Sequence, residues 1–184
     1  MENEKVLVER ILSGEEAAFA ELVQKYQNLV YHIILRLVPN PHDQEDLFQE
    51  IFLKIYRGLA NFRGESKLST WIGRITFNTC MKFMKRSFRE ADFNLNEDLT
   101  GEIAESNWEK VGEAERSLQL HRAVSELPKT YRLLIELFHF QELSYKEISE
   151  ITDMPEGTVK NYLFRARKAL RQILESEKYR EVMS

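Results

Sequence analysis

The sequence predicts an all-α protein of two small helical domains joined by an acidic linker, the second of them a helix-turn-helix domain. Three observations predict it. Apolar residues recur at three- and four-residue steps over most of the chain, and strand-like alternation is nearly absent. From Glu90 to about Glu113 the chain has few large apolar residues and no sustained period. Near the end, a capping signal and a sharp turn introduce a basic amphipathic helix. The resulting boundaries are an N-terminal domain at 1–90, an acidic linker at 91–115 and a C-terminal domain at 116–184.

Leu7 and Ile11 begin a short helix that Ser13-Gly14 ends. Leu22, Tyr26, Leu29, Ile33 and Leu37 then mark one face of a long helix stopped by Pro39-Asn40-Pro41. A third helix, from about Asp43 to Ala60, buries Leu47, Ile51, Ile55 and Leu59, and the polar "NFRGESK" with Gly64 breaks it. The fourth runs from Leu68 to about Phe88 with Ile72, Ile75, Thr79 and Phe83 facing inward. Beyond the linker, Leu118 to Leu127 makes one helix, and Pro128 suits the first turn of the next, which reaches about Phe140. Ser144 and Glu147 in "LSYKEISEI" form a capping box for a helix with Ile148 and Ile151 inward. "TDMPEG" then turns into a last helix that docks Val159, Leu163, Ala166 and Leu170.

The 184 residues, 43% hydrophobic and 30% charged, suit one core of moderate size or two small ones. No run approaches the ~20 apolar residues of a membrane span, and "MENEKVLVER" lacks a signal peptide's apolar stretch, so a cytoplasmic protein without membrane insertion is expected. A lone cysteine, Cys80, and scattered histidines at 32, 42, 121 and 139 give no internal disulfide and no metal-ligand cluster. Neither a cofactor nor a metal is expected.

The net charge of −4 conceals blocks. Residues 1–53 carry four Lys/Arg against ten Asp/Glu, whereas residues 54–89 carry nine cations against Glu65 alone. Residues 90–115 hold nine acids and only Lys110, and residues 158–184 return to +4. Single-sign blocks point to separate surfaces for separate partners, against the alternative of chance excess on solvated faces.

In the last helix, Lys160, Asn161, Phe164 and Arg165 occupy exposed positions near its start. There a recognition helix presents Asn, Lys or Arg to base edges and Phe to a thymine methyl. A basic helix in a plain bundle is the competing interpretation. In the fourth helix Arg74, Asn78 and Lys82 stand in one row, with Trp71, Lys85 and Arg86 extending that side. Aromatic rings beside cations suit unpaired bases, which stack while the cations follow the backbone. Trp71 and Phe62 as plain core residues remain the alternative.

With these residues in place the chain resembles the extracytoplasmic-function (ECF) group of bacterial RNA polymerase sigma factors. The likeness covers nearly the whole chain. It rests on "DLFQEIFLKIYRGLANFRGESKLSTWIGRITFN" (46–78) and "LSYKEISEITDMPEGTVKNYLFRARKAL" (143–170). The resemblance implies an alternative sigma factor that binds core RNA polymerase and directs promoter-specific initiation, with promoter DNA and an anti-sigma factor as further partners. By resemblance, Asp46, Gln49, Glu50, Phe52 and Lys54 dock on the polymerase's largest subunit. The loop residues Asn61, Phe62, Arg63 and Lys67 capture an extruded base of the downstream promoter element. Arg74, Asn78 and Lys82 contact that element, and Trp71 supports melting. Lys160, Asn161, Phe164 and Arg165 match readers of the upstream element, and Thr158, Arg167 and Lys168 match phosphate contacts. Tyr162 departs from a position that is often basic. The resemblance also suggests that the acidic linker imitates nucleic acid in the polymerase's RNA channel, with a plain solvated linker as the alternative.

Two other classes fit less well. An enzyme needs a convergent catalytic set, and the nearest candidate, Asp43, Glu45, Asp46 and Glu50 beside His42, reads as a solvated helix face, so no enzymatic activity is expected. An ordinary helix-turn-helix regulator would carry an effector pocket or a dimer seam in front. Here the front domain carries a basic row of its own.

Overall fold

The computed structural model describes residues 2–90 and 114–176. The acidic linker expected at 91–115 therefore lies, but for its last two residues, outside the described residues. Ala114 and Glu115 already belong to a helix. The chain divides into two compact units, and every regular element among the described residues is helical.

The first unit is built from α1 (Glu2–Leu12), α2 (Glu16–Leu37), α3 (Pro41–Gly58) and α4 (Leu68–Glu90), with a 3-10 turn at Leu59–Asn61. Gly14 turns the chain between α1 and α2 at φ +90, a left-handed conformation that costs a residue without Cβ nothing. Arg10 clamps this corner by pairing with both Glu15 and Glu21. The Asn40 side chain caps α3 by accepting from the His42 N–H at 3.0 Å, with Pro41 in the first turn, where a missing N–H costs nothing. α2 packs against α1, α3 and α4. Its Leu22, Val30, Ile33 and Ile34 are fully buried, as are Ile51, Ile55, Leu59, Leu68 and Ile72 from the rest of the unit. Burial of such side chains contributes roughly 1.5–3 kcal/mol each.

The second unit comprises α5 (Ala114–Ser125), α6 (Lys129–Ile135), α7 (Tyr145–Thr152) as far as Ser149, and α8 (Glu156–Glu175). Helix α5 ends two residues earlier than the periodicity predicts, and Leu127 is buried from the connecting turn. Pro128 stands just before α6 rather than inside its first turn. The helical run does reach Phe140, but its last five residues, Glu136–Phe140, form a π turn in which the Gln141 N–H bonds to the Glu136 carbonyl at 3.0 Å. The capping box before α7 forms as expected. The Ser144 N–H donates to Glu147 Oε2 at 2.8 Å, and the Glu147 N–H donates to Ser144 Oγ at 3.3 Å. Between α7 and α8, Asp153 adopts φ +56, and the Ser149 hydroxyl donates to the Met154 carbonyl at 2.6 Å, closing the turn. α8 packs on α5 and α6 through Val159, Leu163 and Ala166, all fully buried, while Leu170 is only half-buried. No helix among the described residues is long and apolar enough to cross a membrane.

Candidate nucleic-acid interface

In the first unit the four-residue spacing of Arg74, Asn78 and Lys82 does what helix geometry requires and brings them to one line. They line a single cleft with Trp71, Ile75 and Thr79 of α4 and Lys54 of α3. Arg74 and Lys82 are exposed and Asn78 is half-buried. Ile75 is corrected by this arrangement: it lines the cleft instead of facing the core, and Thr76 and Cys80 take the inward positions. The Thr76 hydroxyl satisfies itself by donating to the Ile72 carbonyl at 2.9 Å. Burial pushes the Cys80 thiol up to about 12, so it stays protonated.

Trp71 is half-buried, and its two roles coexist. Its ring packs on Phe62, with centroids 5.4 Å apart, and it also lines the cleft. Gly58 makes this position possible, because a Cβ there would stand 3.2 Å from the Trp71 ring atoms Cη2 and Cζ2. The loop before α4 is thereby tied to the cleft through Phe62. Gly64 turns it at φ +71, and Asn61, Arg63 and Lys67 lie exposed along it.

The α3 candidates separate into two groups. Asp46, Gln49 and Glu50 are exposed on one side. Phe52 is 6% exposed and packs against Phe48 with centroids 4.9 Å apart, so it supports this helix from within and offers no docking surface. Lys54 turns to the cleft, where its ammonium pairs with Glu50 and donates to Thr79 Oγ1 at 3.4 Å. The apolar groups that α3 does expose are Leu53, at 55%, and Tyr56, at 50%. Neither is among the docking residues expected from the sequence, although steps of three and four from Asp46, Glu50 and Gln49 lead to both.

In the second unit α8 exposes Lys160, Asn161, Phe164, Arg165, Arg167 and Lys168, and Thr158 is half-buried in its first turn. Phe164 is 67% exposed, a large ring held in solvent. Lys160 pairs with Glu156 at 2.7 Å, which raises its pKa, and its ammonium lies 5.4 Å from the centre of the Tyr145 ring. Tyr162 is half-buried and meets Tyr131 of α6 edge-on at 6.0 Å, so it joins two helices within the unit. Arg167 lies 5.1 Å from the centre of the Phe138 ring and donates from Nε to His139 Nε2 at 3.2 Å. Periodicity alone gave no signal for Phe138 and His139 at this surface, because the π turn shifts the register by one residue, nor for Tyr145, which reaches it from the start of α7.

The structure thus presents a basic aromatic cleft on one helical unit and a helix-turn-helix with a basic outer face on the other. Family comparisons agree with that division: the model for sigma-70 region 2 matches residues 22–90, and that for sigma-70 region 4 matches residues 117–170. The chain is 35% identical over 187 residues to the RNA polymerase sigma-H factor of Pseudomonas aeruginosa, covering 95% of each chain. It is 37% identical over 176 residues to the ECF RNA polymerase sigma-E factor of Escherichia coli K12, covering 91% of this chain and 92% of that one. Among solved structures, CnrH in complex with the cytosolic domain of CnrY matches with a TM-score of 0.63 at 19% identity, over 94% of this chain and 97% of that one. The sigma factor RpoE of Bartonella quintana, in complex with the anti-sigma factor NepR, matches with a TM-score of 0.65 at 22% identity, over 85% and 98%. These two support the fold. The chain belongs to the sigma-70 family, in its extracytoplasmic-function group of promoter-specific transcription initiation factors.

Proposed function

We propose that the first unit of this sigma factor binds core RNA polymerase and opens the downstream promoter element, and that α8 of the second unit reads the upstream element. The observation that carries this reading is the cleft, which gathers Trp71, Arg74, Asn78 and Lys82 with Lys54 on one side of the first unit. Cations supply attraction to phosphates, the Trp71 ring offers an aromatic contact, and Asn78 offers both a donor and an acceptor to an unpaired base. Asn61, Phe62, Arg63 and Lys67 form the adjoining loop that receives an extruded base. The division at 1–90, 91–115 and 116–184 follows from these roles, with α4 ending and α5 beginning close to both boundaries.

On α8, Asn161, Phe164, Arg165 and Lys160 face base edges, and Thr158, Arg167 and Lys168 face phosphates. On α3, Asp46, Gln49 and Glu50 face polymerase, with Leu53 and Tyr56 supplying the apolar contact that Phe52 does not. The protein acts by binding and melting without catalysing a reaction of its own, in the cytoplasm, where polymerase works. An anti-sigma factor is a further partner, as for the Bartonella quintana protein.

The test separates recruitment from opening. Trp71→Ala and Asn78→Ala are expected to leave holoenzyme on promoter DNA while lowering permanganate-reactive open complexes. Equal losses in both assays would show that the cleft binds duplex only, and the melting role would be withdrawn.

A further inference from the structure

Five side chains on the outer side of the second unit form a continuous ladder. Phe138, in the π turn, stacks on Tyr145 with ring centroids 4.8 Å apart and planes 20° from parallel. Lys160 approaches the Tyr145 ring at 5.4 Å, and Arg167 approaches the Phe138 ring at 5.1 Å. His139 meets Phe138 edge-on at 5.0 Å and accepts the Arg167 Nε–H at 3.2 Å. Lys160 and Arg167 are seven residues apart, two helical turns, so they lie on the same side of α8. Two rings from outside that helix therefore sit under two of its cations.

This is not an ordinary piece of core. Phe138 and Tyr145 are half-buried and His139 is exposed, whereas the residues that close the unit's interior, such as Leu134, Leu137 and Leu163, are fully buried. Guanidinium and ammonium groups gain from lying against ring faces, and long cationic side chains otherwise lose much rotamer freedom when they engage a phosphate. The π turn is the local device: with one residue more per hydrogen-bonded loop, it lets Phe138 and the adjacent His139 both meet Arg167.

We propose that Phe138, His139 and Tyr145 are positioning residues for upstream promoter binding, holding the Arg167 guanidinium and, together with the Glu156 carboxylate, the Lys160 ammonium at fixed places on α8 before DNA arrives. The inference rests on the upstream-reading role of α8 proposed above. His139 acts through its unprotonated Nε2, which accepts from Arg167. Arg167 on α8 is the charged group facing it, and Phe138 on its own turn covers it with a ring edge.

The chain assembled with core RNA polymerase is measured on a duplex selected from a random-sequence library by the parent holoenzyme, at several salt concentrations. Phe138→Leu is expected to weaken binding on the order of three- to tenfold and to reduce the salt slope, as Arg167→Gln does. The double variant should bind no more weakly than Arg167→Gln alone, and Phe138→Tyr, which keeps the ring, should match the parent. Parent affinity for Phe138→Leu alongside a weakened Arg167→Gln overturns the positioning role and leaves the α8 reading standing. So do losses that multiply in the double variant. An Arg167→Gln variant indistinguishable from the parent overturns both. If Phe138→Leu melts early, the side-chain Nε–H resonance of Arg167 in the parent decides. A position displaced by the ring and lost on His139→Ala supports the proposal, and a free-arginine position overturns it.

Discussion

Exposure on α8 distinguishes side chains by what stands next to them. Arg165 and Lys168 are both exposed, but Arg165 lies nearer the helix start, where a recognition helix meets base edges. Arg165→Ala should cost on the order of 1–3 kcal/mol and flatten preference at one upstream position, whereas Lys168→Ala should weaken all sequences alike and reduce the salt slope by about one. A promoter library assayed at two salt concentrations separates the two. His139 adds a pH dependence. Partial desolvation of this otherwise exposed ring first, and the Arg167 cation second, hold its pKa below the ordinary 6.5, so the folded state favours the neutral ring. Its contribution is fully present above about pH 6.5 and is lost as pH falls below that through the folded value. His139→Gln should therefore narrow the loss in melting temperature between neutral and mildly acidic buffer. An unchanged difference would remove His139 as the responsible group.

Single local features of α3, α4 and α7 can be tested one by one. For α7 the feature is the capping box, and Ser144→Ala should lower stability by about 1 kcal/mol, measured by urea unfolding, because one of the helix's first N–H groups loses its acceptor. For the α3 and α4 pair it is the approach of Trp71 to Gly58. Gly58→Ala would gain roughly 0.5–1 kcal/mol of helix propensity. It must also push the Trp71 ring, which lines the cleft, from a 3.2 Å contact by a few tenths of an ångström. The expected result is near-parent thermal stability with impaired promoter opening. For α3 itself the feature is its outward face. Asp46→Arg with Glu50→Arg should abolish co-purification with core polymerase while leaving the melting curve close to the parent's, since both side chains are exposed. Retained binding would move the polymerase interface elsewhere.

For the whole molecule, the proposed division of promoter binding between two units sets the energetics. On the proposed roles each unit would offer few phosphate contacts, and their joint effect would depend on how the two sites are spaced. The free chain should therefore bind a cognate promoter much more weakly than the holoenzyme, with an affinity that falls steeply with salt. Equal affinities for the free chain and the holoenzyme would show that polymerase adds no geometric constraint.

Periodicity, turn residues and charge blocks were enough, from the sequence alone, for the all-α class, nearly every helix, the capping box at Ser144 and the row of Arg74, Asn78 and Lys82. These features repeat at the local spacing of a helix or obey the chemistry of a few neighbouring residues, so they are written in order along the chain. What the tertiary structure decided is which side each ambiguous residue takes. Phe52 and Lys54 follow from how α3 lies on its neighbours, and Ile75 follows from where the cleft opens. Trp71 divides itself between core and surface because Gly58 leaves room for it. The ladder of Lys160, Tyr145, Phe138, Arg167 and His139 joins residues from three elements through a π turn whose register no regular period encodes. Contacts between distant parts of the chain depend on packing, and packing is settled only when all the helices have found their places.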